Sequence, residues 1–182
     1  LDLSFDDFIR TTEDRHRRSV QALIQRIHDA GDVYKGTYQG WYCVSTEHFL
    51  ADDVPLEKEG HKICPECGVK AILVSEDCYF FRLSAYQMRL LEFYEKNPTF
   101  VRPQSRMNEV VSFVEGGLRD LSISRTNFTW GVPLPFADEH VTYVWIDALL
   151  NYITAVGYGD DRPEEAARFE KWWPAQVHFV GK

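Results

Sequence analysis

Val141-Thr142-Tyr143-Val144-Trp145-Ile146-Asp147-Ala148-Leu149-Leu150-Asn151-Tyr152 is the stretch that decides the fold. Val141, Tyr143 and Trp145 alternate at the period of a strand, and from about Asp147 to Val156 the spacing becomes helical. A strand feeding a helix is the repeating unit of an open α/β sheet, where ligands bind at the carboxyl ends of the strands. Trp145, Ala148, Leu149 and Tyr152 stand at i, i+3, i+4 and i+7, so they share one helical face or the strand edge entering it. Spacing alone reads that face as core. A second reading is a ligand wall: Trp and Tyr carry polar tips that need partners, and small Ala148 leaves a concavity between them. Such a wall suits a flexible thioether, because sulfur packs favourably on aromatic rings.

Upstream, Leu1-Asp2-Leu3-Ser4-Phe5 alternates like a half-buried strand. Thr11 and Thr12, followed by Glu13 and Asp14, open a helix that carries Val20, Leu23, Ile24, Ile27 and Ala30 on one side and stops at Gly31. Aromatic and β-branched residues between Asp32 and Val44 predict a strand pair or ribbon punctuated by Gly36 and Gly40. Residues 45–78 read as polar and irregular. Ser84 and Gln87 form a capping box for a helix running to about Lys96, and Ser105 to Glu115 forms another. Leu121 to Val132 is strand-like, and Val177-His178-Phe179-Val180-Gly181-Lys182 closes the chain with a buried-strand pattern.

The bulk properties narrow the class. With 182 residues the chain can build one core or two unequal lobes. A hydrophobic content of 45% excludes a disordered polyelectrolyte. No run reaches the roughly 20 apolar residues of a membrane span, and no signal-peptide pattern opens the chain. A net charge of −8 argues against a self-sufficient nucleic-acid binder. Leu1, in place of an initiator methionine, predicts an internal stretch of a longer protein.

Three residue groups could carry chemistry besides the Trp145 face. Cys64-Pro65-Glu66-Cys67-Gly68 is a tight knuckle with metal-ligand spacing. Its upstream half offers Cys43, but Thr46 stands where a second cysteine would be expected; His48 and His61 are the other candidate ligands. Bound zinc and a metal-free knuckle both remain open. This cysteine usage fits a reducing compartment rather than a disulfide framework, and Cys78 beside Tyr79-Phe80-Phe81 reads as a small buried hydrophobe. Arg119, Asp120 and Arg125 are either surface ion pairs or include an arginine for a triphosphate or acidic group. Arg10, Arg15, His16, Arg17 and Arg18 read as a solvated helix face, with a hint of an anionic partner because cations in the first turns oppose the helix dipole.

Phe5-Asp6-Asp7-Phe8-Ile9-Arg10-Thr11-Thr12, Gly40-Trp41-Tyr42-Cys43-Val44-Ser45 and Tyr79-Phe80-Phe81-Arg82-Leu83-Ser84 resemble bacterial and organellar methionyl-tRNA synthetases. So do Asn108-Glu109-Val110-Val111-Ser112-Phe113, Asp120-Leu121-Ser122-Ile123-Ser124-Arg125, Tyr143-Val144-Trp145-Ile146-Asp147-Ala148-Leu149 and His178-Phe179-Val180-Gly181-Lys182. The resemblance runs in family order along essentially the whole chain. It implies an α/β fold: part of a Rossmann-like class I synthetase catalytic domain, interrupted by an α+β connective insertion of zinc-knuckle type. Residues 1–30 would end the first catalytic half, 31–138 would be the insertion with its knuckle at 43–68, and 139–182 would return to the catalytic domain. The resemblance further implies a methionine pocket at Trp145, Ala148, Leu149 and Tyr152, an ATP-handling region at Arg125 and Gly181, and a metal at Cys43, Cys64 and Cys67, with zinc open because of Thr46. The implied partners are L-methionine, ATP with magnesium, and tRNA(Met); the expected state is a monomer in the cytoplasm, or in an organelle. The two ATP signatures of the family would lie outside the chain, so the stretch alone is expected to be inactive. Synthetases for leucine, isoleucine or valine carry a much larger editing insertion, and a stand-alone zinc ribbon would not continue into the missing signatures.

Overall fold

The computed structural model describes residues 4–46, 48–51, 53–57, 59–126 and 129–181. The first helix, α1 (Asp14–Asp29), has Asp14 in its first turn and Arg26 and His28 in its last, matching the helix dipole at both ends. Ala30 caps it. Gly31, at φ +80°, and Asp32 then donate their N–H groups to His28 and Ile27 carbonyls, the paired bonds of a Schellman stop.

The chain then runs out along β1 (Val33–Cys43), makes the short β2 (His48–Phe49), and returns along β3 (Ile72–Phe81). β1 and β3 are antiparallel in an unbroken register from Val33 opposite Phe81 to Tyr42 opposite Ile72. The ribbon predicted between 32 and 44 is therefore one long strand, and its partner lies in a stretch that reads as irregular. Ser75-Glu76-Asp77 hides β3, because three polar residues break the apolar alternation. Glu76 is nonetheless buried, its carboxylate accepting from the Thr126 N–H (2.6 Å) and hydroxyl (2.9 Å).

Leu83–Tyr86 is a 3-10 turn leading into α2 (Gln87–Lys96), followed by α3 (Gln104–Glu115). The expected capping box does not form. Ser84 uses its N–H and hydroxyl on Asp120 Oδ1, and Gln87 Oε1 accepts from the Leu118 N–H, so both side chains serve tertiary bonds instead.

Beyond α3, the strand-like stretch breaks into β4 (Leu121–Ser122), which joins the ribbon, and β5 (Ser124–Arg125). β6 (Pro133–Leu134) and β7 (Ala137–Thr142) complete a second sheet in the order β5-β7-β6. The helix after β7 starts earlier than its sequence suggests: α4 spans Val144–Thr154 with Tyr143 as its cap, so Trp145 is helical rather than the end of a strand. α5 (Pro163–Trp172) has no counterpart in the sequence reading, although Pro163 in its first turn and Glu164 and Glu165 behind it are ordinary helix-start signals. No strand forms at 177–181, where Val177, Phe179 and Val180 are exposed: a strand needs a ladder partner, and none pairs there among the described residues. Residues 4 and 5 are not in a strand either; the rest of that opening pattern, residues 1–3, lies outside the described residues, as does Lys182.

Two cores result. Val20 and Ile24 of α1 pack with Val132 and Leu134, flanked by Tyr79, Phe136, Ile146 and Leu150. At the far end of the ribbon, Cys43, Leu50, Cys64 and Ala71 pack with Trp41 and Val54. Among the described residues no helix is long and apolar enough to cross a membrane.

The α4–α5 connection depends on Gly157, at φ +96°, where a Cβ would fall 2.4 Å from the Glu165 carbonyl oxygen. Gly31 is also left-handed but has open space around it. Gly157→Ala is expected to cost about 2–4 kcal/mol, left-handed backbone strain plus overpacking, against about 1 kcal/mol for Gly31→Ala. Denaturant unfolding of the two variants checks the difference, and equal losses would show that the α4–α5 turn relaxes freely.

Candidate functional site

α4 presents two opposite faces. Asp147 and Thr154 are buried, with Ile146 and Leu150 packed on the first core. Trp145 (62% exposed) and Leu149 (55%) point away from it, with Ala148 and Tyr152 half-buried beside them. Within this chain the core is built from the other side of the helix. Tyr152 stacks on His178, with ring centroids 5.1 Å apart, and His178 leans on Trp173 at 5.8 Å. His178 has no role of its own in the reading of the sequence; it appears there within the closing run and the resembling stretch His178–Lys182.

Arg125 lies close by because β5 pairs with β7, the strand that feeds α4. Its guanidinium sits 4.3 Å from the centroid of the Tyr143 ring and 5.7 Å from that of Tyr38, and it donates to Ser122 Oγ (2.6 Å) and the Ser124 carbonyl (2.8 Å). Asp120 belongs elsewhere. It accepts from the Ser84 and Tyr34 hydroxyls, the Ser84 bond chiefly holding its carboxyl below the usual range. Asp120 and Arg125 thus bond to different partners. Gly181 is exposed, with nothing within 4 Å of where a Cβ would stand.

The basic stretch of α1 is not a uniformly solvated face. His16 is fully buried between α1 and α4, its Nε2 2.8 Å from Asp147 Oδ1 and its Nδ1 2.7 Å from Thr154 Oγ1. Arg15 donates to Asp7, Glu13 and the Phe8 carbonyl, and Arg18 reaches Asp160 at 3.4 Å. Arg17 instead lines a cleft of about 180 Å³ with Thr11, Thr12, Trp130, Gly131 and Asp147. Pairing with acids both near in sequence (Asp7, Glu13) and far (Asp147, Asp160) accounts for the difference.

At the knuckle, β1 and the 64–68 turn bring together the Sγ atoms of Cys43, Cys64 and Cys67, all within 4.8 Å of one another. A tetrahedral ion with metal–sulfur bonds of about 2.3 Å sets its sulfurs roughly 3.8 Å apart, so the donor set is sized for a metal. Thr46 Oγ1 stands 3.6 Å from Cys64 Sγ, and its hydroxyl chiefly holds the Cys43 thiol down to about 7. Burial pushes the Cys64 thiol up, but the Cys67 amide, the Thr46 hydroxyl and the Glu66 amide outweigh it and leave it lowered. A thiol lowered in this way is ready to ligate as thiolate. His61 is not in the group, and the side chain of His48 lies outside the described residues. Cys78 is a buried thiol pushed up by that burial, as a core hydrophobe would be.

Residues 1–72 and 61–182 match the family model described as tRNA synthetases class I (M). The chain belongs to that family. Its class I fold is shared with solved structures. One, a Mycobacterium tuberculosis methionyl-tRNA synthetase bound by methionyl-adenylate, superposes with a TM-score of 0.79 at 46% identity, over 96% of this chain and 34% of that one. The free form of the same enzyme superposes at 0.76. Curated relatives include the methionine–tRNA ligases of Halalkalibacterium halodurans (51% identical), Thermotoga maritima (49%) and Streptomyces coelicolor (52%), each matched over the full length of this chain. The chain spans 28%, 28% and 34% of their respective lengths.

In this synthetase segment, the stretch leading to Thr11 and Thr12 is held by Asp7, which bonds Arg15 of α1 at 2.8 Å and also Arg168 of α5. The Arg15 bond is the main cause of an Asp7 carboxyl held down to about 2. A carboxyl lowered in the folded state stabilises it above the unfolded value near 3.8 and loses that contribution as pH falls toward 2. Asp7→Asn is expected to flatten the fall of melting temperature between pH 4 and pH 2 and to lower the value at pH 7 slightly. Thermal unfolding across that range measures both; an unchanged slope would show that Asp7 contributes nothing.

Proposed function

We propose that this chain is the part of a methionine–tRNA ligase that carries the amino-acid-binding face of the catalytic domain together with the connective insertion. The observation that carries the reading is the exposed α4 face of Trp145, Ala148, Leu149 and Tyr152, in a chain so similar to an enzyme described as bound by methionyl-adenylate. On this reading residues 1–30 and 139–182 belong to the catalytic domain and 31–138 to the insertion. Packing supports a return slightly earlier than residue 139, since Val132 and Leu134 share the α1 core and β7 spans 137–142.

The whole enzyme would join L-methionine to ATP, the amino-acid carboxylate attacking the α-phosphorus and pyrophosphate leaving with its magnesium. The methionyl group then passes to a hydroxyl of the terminal adenosine of tRNA(Met). This chain's residues bind and orient. Trp145 and Tyr152 offer flat faces to the thioether, Ala148 leaves it room, and Leu149 closes the apolar wall. Arg125 is always charged and braced by Tyr143 and Ser122, so it can meet phosphate oxygens without rearranging. Gly181 would offer backbone to the ATP ribose. Cys43, Cys64 and Cys67 would hold zinc, which supplies a structural crosslink there; Thr46 leaves the fourth position to a weaker donor. The enzyme works as a monomer in the cytoplasm on the same reading.

Selection of methionine must come from shape and dispersion, because its side chain offers no charge. Trp145→Ala in the full-length enzyme is expected to raise the methionine KM about ten-fold or more, on the roughly 1–3 kcal/mol scale of apolar discrimination. The ATP KM should stay within about two-fold. Pyrophosphate exchange with each substrate varied in turn reads both, and equal effects on the two, or none on methionine, would remove the assignment.

One zinc per chain is expected by elemental analysis after mild chelation of the protein, lost when Cys64→Ser and Cys67→Ser are combined. Two equivalents, or one that survives the double substitution, would rule out the three-thiol site.

A further inference from the structure

We propose that His16 is a positioning residue for the methionine-binding face of α4, acting through Asp147 and Thr154; this rests on the reading of that face given above. Three observations lead there. His16 has no exposed surface, and both of its ring nitrogens are engaged, Nε2 on Asp147 Oδ1 at 2.8 Å and Nδ1 on Thr154 Oγ1 at 2.7 Å. Asp147 and Thr154 are seven residues apart, so they lie on one stripe of the helix, separated along its axis by about 10 Å. At about 100° per residue, the sector holding Trp145, Ala148, Leu149 and Tyr152 is centred about 150° from that stripe.

Apolar packing also joins the two helices, with Ile146 and Leu150 of α4 set against the cluster that holds Val20 and Ile24 of α1. Such contacts are non-directional and tolerate small slides and rotations. The imidazole bonds do not. A rigid ring held at two points on α4 fixes both the rotation and the axial position of the helix, and a buried pair left unmade is penalised. The lever matters on the far side. A rotation of about 20° carries a side-chain tip at about 5 Å radius by nearly 2 Å, and misplacement by about 1 Å can cost a hundred-fold in a positioned reaction. His16 therefore never touches methionine but sets where the Trp145 wall stands.

The test uses pyrophosphate exchange by the full-length enzyme with each substrate varied in turn. His16→Ala should raise the methionine KM about ten-fold, leaving the ATP KM within about two-fold. His16→Gln, whose amide N–H reaches the Nε2 position, should recover part of the loss. Thr154→Val keeps the shape but removes the hydroxyl, and should shift the methionine KM the same way by a smaller factor. Combined with Trp145→Ala, His16→Ala should add little, because both act through one face. If His16→Ala does not fold, His16→Gln and Thr154→Val carry the test. A lowered melting temperature with an unchanged methionine KM, equal changes for both substrates, or full additivity with Trp145→Ala overturns the proposal. Trp145→Ala without effect on methionine removes the underlying reading of the face, and the positioning role with it. Trp145→Ala with its effect beside silent His16 and Thr154 variants removes the positioning role alone.

Discussion

The buried imidazole of His16 is the constraint that joins α1 to α4. Its Nε2 stands 2.8 Å from Asp147 Oδ1, where a carboxylate oxygen accepts from the ring N–H. The second nitrogen then meets Thr154, and two helices far apart in sequence become one unit. The aromatic face of α4 lies on the side of the helix away from these bonds, with Tyr152 of that face stacked on His178. Polar bonds on the inner face make an apolar outer face usable.

A second constraint separates architecture from chemistry. The β1–β3 register extends over ten residue pairs, on the order of 30 Å of strand. One end joins α1 through Asp32 and Arg82, and the other ends at Cys43 and the thiol cluster. A metal at the knuckle would therefore fasten the tip of the β1–β3 ribbon, at the end away from α1. The low thiol of Cys43 and the gathering of three thiols within 4.8 Å suit that structural duty. Gly36 permits the ribbon to pack tightly midway, where the Phe80 ring lies 3.0 Å from where a Cβ would stand.

Much of the fold was legible because it is written in local periodicity. α1 and α3 follow from apolar spacing and their stops, β1 from its aromatic and β-branched run, and the knuckle from two cysteines three positions apart. α5 was equally legible, from its proline and acids, and was overlooked. The shared face of Trp145, Ala148, Leu149 and Tyr152 was also plain, since it depends only on helical geometry.

Which way that face looks was beyond the reach of spacing: a core helix and a site helix have the same period, and only the packing of α1 shows which side of α4 is buried in this chain. Glu76, His16 and Asp120 carry the same lesson. Each reads as a surface polar residue until a partner 36 to 138 positions away buries or engages it. The sequence by itself determined α1, α3, the extended character of 33–43 and the knuckle turn, because those arise between neighbours. Only the tertiary structure decided the strand that pairs with β1, the meeting of Cys43 with Cys64 and Cys67, and the outward turn of α4. The physical reason is that desolvating a polar group is favourable only where its partner already stands, and that partner is supplied by the fold.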